Sequence, residues 1–198
     1  SKIINADWRS IVNKDKRKNE VEVVDNSNKD MNTSKNNLND DVIHKSAGAC
    51  VVCDIITKDF GNGDQQYYYL KPKFPTTVNK SLEIYLPVEK EELFIRRPLS
   101  RHAVLSLIST IPSMERVWIS NAKARKQMFE SVYHSGDIKG LCQLVKLLYV
   151  EADFFAKPMS LSDKNFLLKI KTNIFDEFAV ALELHPKEVE EFVKKQLL

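Results

Sequence analysis

The sequence has 198 residues, and 30 Lys and Arg against 27 Asp and Glu leave a formal net charge of +3. A chain of this length holds one or two domains and buries a core without a disulfide or metal staple. With 43% hydrophobic and 29% charged residues it reads as a soluble globular protein. Its apolar runs are too short to span a bilayer, and no basic-then-apolar leader opens it. Three Cys cannot all pair within one chain, which points to a reducing, cytoplasmic setting.

Nine of the fourteen Asn lie in residues 1–39. The stretch from Asn26 to Asn37 holds one apolar residue, Met31, too little to offset its ordering entropy. Residues 1–37 are therefore expected to be a flexible polar extension. Two apolar patches interrupt it, Ile3-Ile4 with Trp8 and Ile11-Val12, and Val21 to Val24.

From Val42 the pattern becomes β. Val42-Ile43 and Cys50 to Ile56 are rich in branched residues, with Gly48 as a bend or bulge between them. Gly61-Asn62-Gly63-Asp64 is a turn, and Tyr67 to Leu70 a strand. Leu82 to Leu86 alternates as a half-buried strand that Pro87 ends. These short strands predict a small, bent sheet or barrel over residues 38–97.

After Pro98 the period is helical. Ser100 caps a helix carrying Val104, Leu107, Ile108 and Ile111, and Pro112 stops it. Ser113 is expected to cap a longer helix to about His134. Gly136 stops that helix and Asp137 opens another, with Leu141, Leu144 and Val145 in its stripe. Ser162 is expected to cap a helix through Leu182, and Pro186 to begin the last one. The fold class is thus α+β: a β module, then about five helices over residues 98–198.

No common enzyme class is visible. The phosphate-loop, dinucleotide and nucleophile-elbow patterns are missing. Cys50-x-x-Cys53 has no second pair to complete a metal site and lies in a strand, where residues three apart face opposite sides. The carboxylates Asp163, Asp176 and Glu177, and Glu188, Glu190 and Glu191, are expected to form solvated helical faces. We expect no catalytic residue, cofactor or metal.

Charge is uneven along the helical region. Residues 116–147 carry six Lys or Arg against two acids, whereas residues 150–198 carry seven basic and nine acidic residues. On one helix, Trp118, Ala122, Arg125 and Phe129 would share a stripe, flanked by Lys123 and Lys126. Such cations hold phosphates, and an aromatic beside them can wedge into a minor groove. The same spacing also suits a Trp packed in the core.

Residues 38–198 resemble the CarD/CdnL-like bacterial transcription regulators that bind RNA polymerase, in a Firmicute-like variant. The resemblance rests on Asp40-Asp41-Val42-Ile43-His44 and Gly48-Ala49-Cys50-Val51-Val52-Cys53-Asp54-Ile55. It continues in Tyr68-Tyr69-Leu70-Lys71-Pro72 and Leu82-Glu83-Ile84-Tyr85-Leu86-Pro87-Val88. Trp118-Ile119, Asn121, Arg125, Ser135-Gly136-Asp137, Leu147-Leu148-Tyr149 and Asp176 to Leu182 complete it.

The resemblance implies a Tudor-like β module shared with transcription-repair coupling factors. It implies that this module binds the RNA polymerase β subunit, here through Lys58, Phe60, Leu82, Ile84 and Tyr85. It implies a helical domain on promoter DNA upstream of the bubble, with Trp118 as wedge and Arg125 and Lys126 on phosphates; helical geometry adds Lys123. Together they would stabilise the open complex. The expected protein is monomeric, nucleoid-associated and without a membrane partner. Departures support an alternative, a protein–protein adaptor without a DNA role: Tyr85 replaces a basic residue, and Arg125 lies about two turns beyond Trp118.

Overall fold

The computed structural model describes residues 35–61, 63–115, 118–154 and 160–197. The extension expected over residues 1–37, with both of its apolar patches, lies outside the described residues except for Lys35, Asn36 and Asn37.

Five antiparallel strands form where branched and aromatic residues alternate: β1 (Asp41–His44), β2 (Gly48–Asp59), β3 (Asp64–Pro72), β4 (Ile84–Pro87) and β5 (Ile95–Arg96). Their order is β4-β3-β2-β1-β5. The inner face buries Val42, Cys50, Val52, Tyr68, Leu70 and Leu86. Strict alternation from Cys50 and Val52 would turn Asp54 inward. Instead Cys53 is an extra residue between the pairs Val52–Leu70 and Asp54–Tyr69. This bulge shifts the phase, so Ile55 packs on the core and Asp54 stays exposed. Cys50 and Cys53 are free thiols, the first buried and the second half-buried.

Gly48 begins β2 with φ +73°, a region that costs glycine little. A Cβ there would lie 3.1 Å from the backbone oxygen of Thr172. The residue thus serves both the turn and the approach of a helix from the other half of the fold.

The strand expected over Leu82 to Leu86 begins only at Ile84. Leu82 lies outside it because its N–H donates to the Asn79 carbonyl at 2.9 Å, closing the preceding turn. After β4 a 3₁₀ turn (Val88–Lys90) and the one-turn helix α1 (Glu91–Phe94) lead into β5. α1 contributes buried Glu91, whose Oε2 accepts from the Tyr68 hydroxyl at 2.5 Å and from the Asn36 amide at 3.0 Å. Burial, and then the Glu91 hydrogen bond, raise the pKa of the Tyr68 hydroxyl.

The second half contains α2 (Arg101–Thr110), α3 (Ala122–Ser135), α4 (Ile138–Phe154), α5 (Leu161–Ile170), α6 (Asp176–Leu182) and α7 (Pro186–Leu197). A π-helical turn (Lys171–Phe175) joins α5 to α6, so five continuous helical segments follow the sheet among the described residues. Ser100 caps α2, its Oγ accepting from the Ala103 N–H at 3.2 Å. Gly136, at φ +70°, ends α3. Pro186 begins α7.

Three expectations are corrected. No helix starts at Ser113: that residue ends a 3₁₀ turn (Ile111–Ser113), the described residues 114, 115 and 118–121 are irregular, and α3 starts only at Ala122. The reason is local competition for the backbone, because the Asn121 side chain accepts from the Ala124 N–H at 3.0 Å. The cap of α5 is Ser160, not Ser162; its Oγ accepts from the Asp163 N–H at 3.1 Å.

The third correction concerns the carboxylates. Asp163 and Glu177 are buried, not solvated. Glu177, with no exposed surface, accepts from both terminal nitrogens of Arg96, at 2.6 and 2.7 Å, and from the Leu99 N–H at 3.0 Å. This contact ties β5 to α6. Glu190 is half-buried, accepting from the Tyr149 hydroxyl at 2.7 Å beside the Lys171 amino group at 2.7 Å. Glu188 and Glu191 stay exposed.

Candidate functional site

Two surfaces carry the residues singled out by sequence. The first is the outward face of the sheet near β4. One side of β4 pairs with β3, in the register Tyr67–Pro87, Tyr68–Leu86, Tyr69–Tyr85 and Leu70–Ile84. No strand among the described residues pairs with its other side. Alternation turns Ile84 and Leu86 toward the core and Tyr85 outward.

Around Tyr85 the aromatics collect. Tyr69 stacks on it with ring centres 5.0 Å apart, and Phe60 approaches at 5.8 Å. Phe60 meets Tyr67 edge-on at 4.9 Å. The Lys58 amino group lies 4.8 Å from the Phe60 ring centre and 5.8 Å from that of Tyr85. On the other flank the Tyr69 hydroxyl donates to Glu83 at 2.6 Å, and Lys71 lies 3.6 Å from the same carboxylate. That hydrogen bond raises the Tyr69 pKa and lowers that of Glu83.

Lys58, Phe60 and Tyr85 are therefore brought together. Ile84 belongs to the same strand but is half-buried against the core, and Leu82 stands exposed in the turn before it. Tyr67 and Tyr69 were not expected here. Their signal was the run Tyr67-Tyr68-Tyr69, in which an inward middle ring requires two outward ones.

Residues 37–99 match the model of the CarD-like/TRCF RID domain. This stretch is similar to the RID domain of CarD-like and TRCF proteins. The matched residues include all five strands described, β1 to β5. No curated protein matches the chain. The aromatic patch and the β4 edge, unpaired among the described residues, both lie in the matched stretch, called the RID domain below.

The second surface lies beyond the RID domain, around Trp118. This residue is half-buried in the irregular segment before α3, so it does not share a helix with Arg125. The two meet nonetheless: the Arg125 guanidinium lies 4.3 Å from the Trp118 ring centre. Arg125 is only 7% exposed. Its Nε and one terminal nitrogen donate to Asp163 at 3.2 and 3.1 Å, and the other donates to the Ile119 carbonyl at 2.8 Å. Sequence reasoning missed Asp163 because a lone acid near a helix start resembles surface.

Lys146 is also engaged, donating to the carbonyls of Pro112 and Met114 at 2.6 Å each. Gln143 donates to the Glu115 carbonyl at 2.9 Å. The backbone at Pro112, Met114 and Glu115 is thus held by side chains of α4. Lys123 and Lys126 stand exposed on α3, with Lys126 3.8 Å from Glu130. The positive charge counted along the sequence therefore overstates what reaches the surface.

Among the described residues no His, Cys, Asp and Glu cluster of metal-binding size occurs, and no helix is long and apolar enough to cross a membrane.

Proposed function

We propose that this chain is a transcription regulator that grips the RNA polymerase β subunit through its RID domain and rests its helical half on promoter DNA. The observation that carries the first part is the β4 edge of the RID domain, unpaired among the described residues, beside an exposed aromatic patch. An added strand of the partner would continue the sheet there.

In this reading Trp118 is the wedge, and Lys123 and Lys126 hold phosphates. Arg125 acts one step back: fixed by Asp163, it offers a flat surface under the Trp118 ring. The action is non-covalent and requires no catalytic group. A side chain that favours unstacked DNA shifts the balance toward the melted complex by its differential affinity.

The test is the lifetime of open promoter complexes formed with bacterial RNA polymerase. The protein is expected to lengthen it, and Trp118→Ala to abolish the effect while polymerase binding persists. Equal lifetimes with Trp118→Ala and the parent protein would contradict the wedge.

One observation favours a second reading, an adaptor that binds polymerase but not DNA: Arg125 and Lys146 are both engaged within the fold. On that reading the double substitution Lys123→Glu and Lys126→Glu leaves the ternary promoter complex unchanged.

A further inference from the structure

Between the β1–β5 side of the sheet and the corner from α3 to α4 lies a cleft of about 490 Å³. That volume falls within the range of about 300–1,000 Å³ typical of small-molecule sites. The cleft shares no residue with the β4 patch or with the Trp118 surface.

One wall forms because the His44 ring closes the turn after β1. Its Nδ1 accepts from the Ser46 and Ala47 N–H groups, at 3.2 and 3.1 Å. The Lys45 N–H donates to the Phe94 carbonyl at 2.9 Å, which brings the end of α1 beside that turn. The His44 and Phe94 rings lie nearly parallel, 11° apart in plane with centres 6.4 Å apart. The Lys45 amino group lies 4.4 Å from the Phe94 ring centre. The other wall comes from Tyr133 and His134 at the end of α3 and from Ile138 and Leu141 on α4. Gly136 makes the corner between them. Leu93 also lines the cleft and is 67% exposed.

The charged side chains that line the cleft are paired, with one exception. Arg96 is held by Glu177 at 2.6 and 2.7 Å, and Glu92 by Lys35. Lys45 has no carboxylate at ion-pair distance among the described residues. His44 adds a directed donor. Two backbone N–H groups hold Nδ1 as the acceptor, so the ring proton sits on Nε2. Burial, and then the neighbouring Lys45 charge, lower the His44 pKa, which keeps the ring neutral near pH 7.

We propose that this cleft binds a small planar aromatic carboxylate. Its ring packs against Phe94 and Tyr133, and its carboxylate meets the Lys45 amino group and the His44 Nε2–H. One free cation matches one negative charge, which suits a carboxylate better than a phosphate monoester carrying nearly two. The ring-lined walls select a flat apolar body. The occupant touches the RID domain on one side and the helical half on the other. Its binding therefore stabilises the packing of the two halves.

The experiment titrates 2-naphthoate into the full, isotope-labelled chain and follows the amide shifts by NMR. Half-saturation is expected below about 1 mM, at the ligand efficiency usual for a molecule of this size. The amides of Leu93, Phe94 and Ile138 are expected to move, reporting both walls. The neutral isostere 2-naphthamide is expected to bind about threefold more weakly, the worth of a partly exposed ion pair. Lys45→Gln is expected to weaken naphthoate binding by a similar factor. Ile138→Trp, which fills the cleft, is expected to abolish binding. Thermal melts check that this variant is folded, and Lys45→Gln carries the test if it is not.

Absence of saturation at about 5 mM naphthoate would overturn the site. Equal binding of 2-naphthamide, or of naphthoate to Lys45→Gln, would overturn recognition of the carboxylate. Shifts confined to residues outside the two walls would overturn the location.

Discussion

Arg125 and Trp118 are in contact although no helix joins them, the guanidinium lying 4.3 Å from the ring centre. The contact depends on Asp163, thirty-eight residues further along, which holds the guanidinium through two hydrogen bonds. The arginine is thereby a fixed shelf under the Trp118 ring. Lysine could not replace it, since only the planar fork both pairs with a carboxylate and stacks on a ring.

Asp163→Asn is accordingly expected to destabilise the fold by about 3 kcal/mol, the usual cost of removing one partner from a buried pair. The same change should alter the emission of Trp118, measured in a Trp8→Phe background so that one indole reports. Denaturant titration supplies the first quantity. A loss below about 1 kcal/mol, typical of an exposed pair, would show that Arg125 is not held as described.

Two glycines separate strain from crowding. Gly136 and Gly48 have nearly equal positive φ, +70° and +73°. A Cβ at Gly136 meets nothing within 4 Å, whereas at Gly48 it meets the Thr172 carbonyl oxygen at 3.1 Å. Gly136→Ala should cost about 1 kcal/mol from backbone conformation alone. Gly48→Ala should cost more, because the helix bearing Thr172 must also move. Equal losses in thermal or denaturant melts would mean that the approach of that helix to β2 is not tight.

Asp176 gives the fold a pH dependence. Burial pushes its carboxyl up to about 7. The folded state then binds the proton more strongly than the unfolded chain, so the native state is favoured below the ordinary carboxylate range. That advantage is lost as pH rises toward 7. Asp176→Asn should therefore stabilise the protein above pH 7, on the order of 1–2 kcal/mol given partial solvent access, with the difference vanishing near pH 4. Melts across that range check it. A variant less stable than the parent at pH 8 would mean that the carboxylate has a favourable partner when ionised.

Four of the five strands described, though not β5 at Ile95–Arg96, and most helix ends were legible from sequence because they depend on neighbours. Alternation in Val42, Val52 and Tyr68, the cap at Ser100 and the stop at Gly136 are local effects. The start of α3 was not legible, because the Asn121 cap there competes with side chains from distant positions, Gln143 and Lys146, that hold the backbone carbonyls of Pro112, Met114 and Glu115. The same holds for charge. Counting Lys and Arg along the chain cannot reveal that Arg125 faces Asp163 or that Arg96 faces Glu177. At the sheet, sequence supplied Lys58, Phe60 and Tyr85, but their convergence with Tyr69 required the β3–β4 register.

The central claim is that this RID domain binds the RNA polymerase β subunit. Titration of the full chain into the isolated β-subunit lobe, followed by calorimetry, tests it most directly. The account predicts saturable one-to-one binding near micromolar, worth about 8 kcal/mol, with affinity falling when Tyr85 is truncated. No detectable heat or binding at tens of micromolar lobe would contradict it.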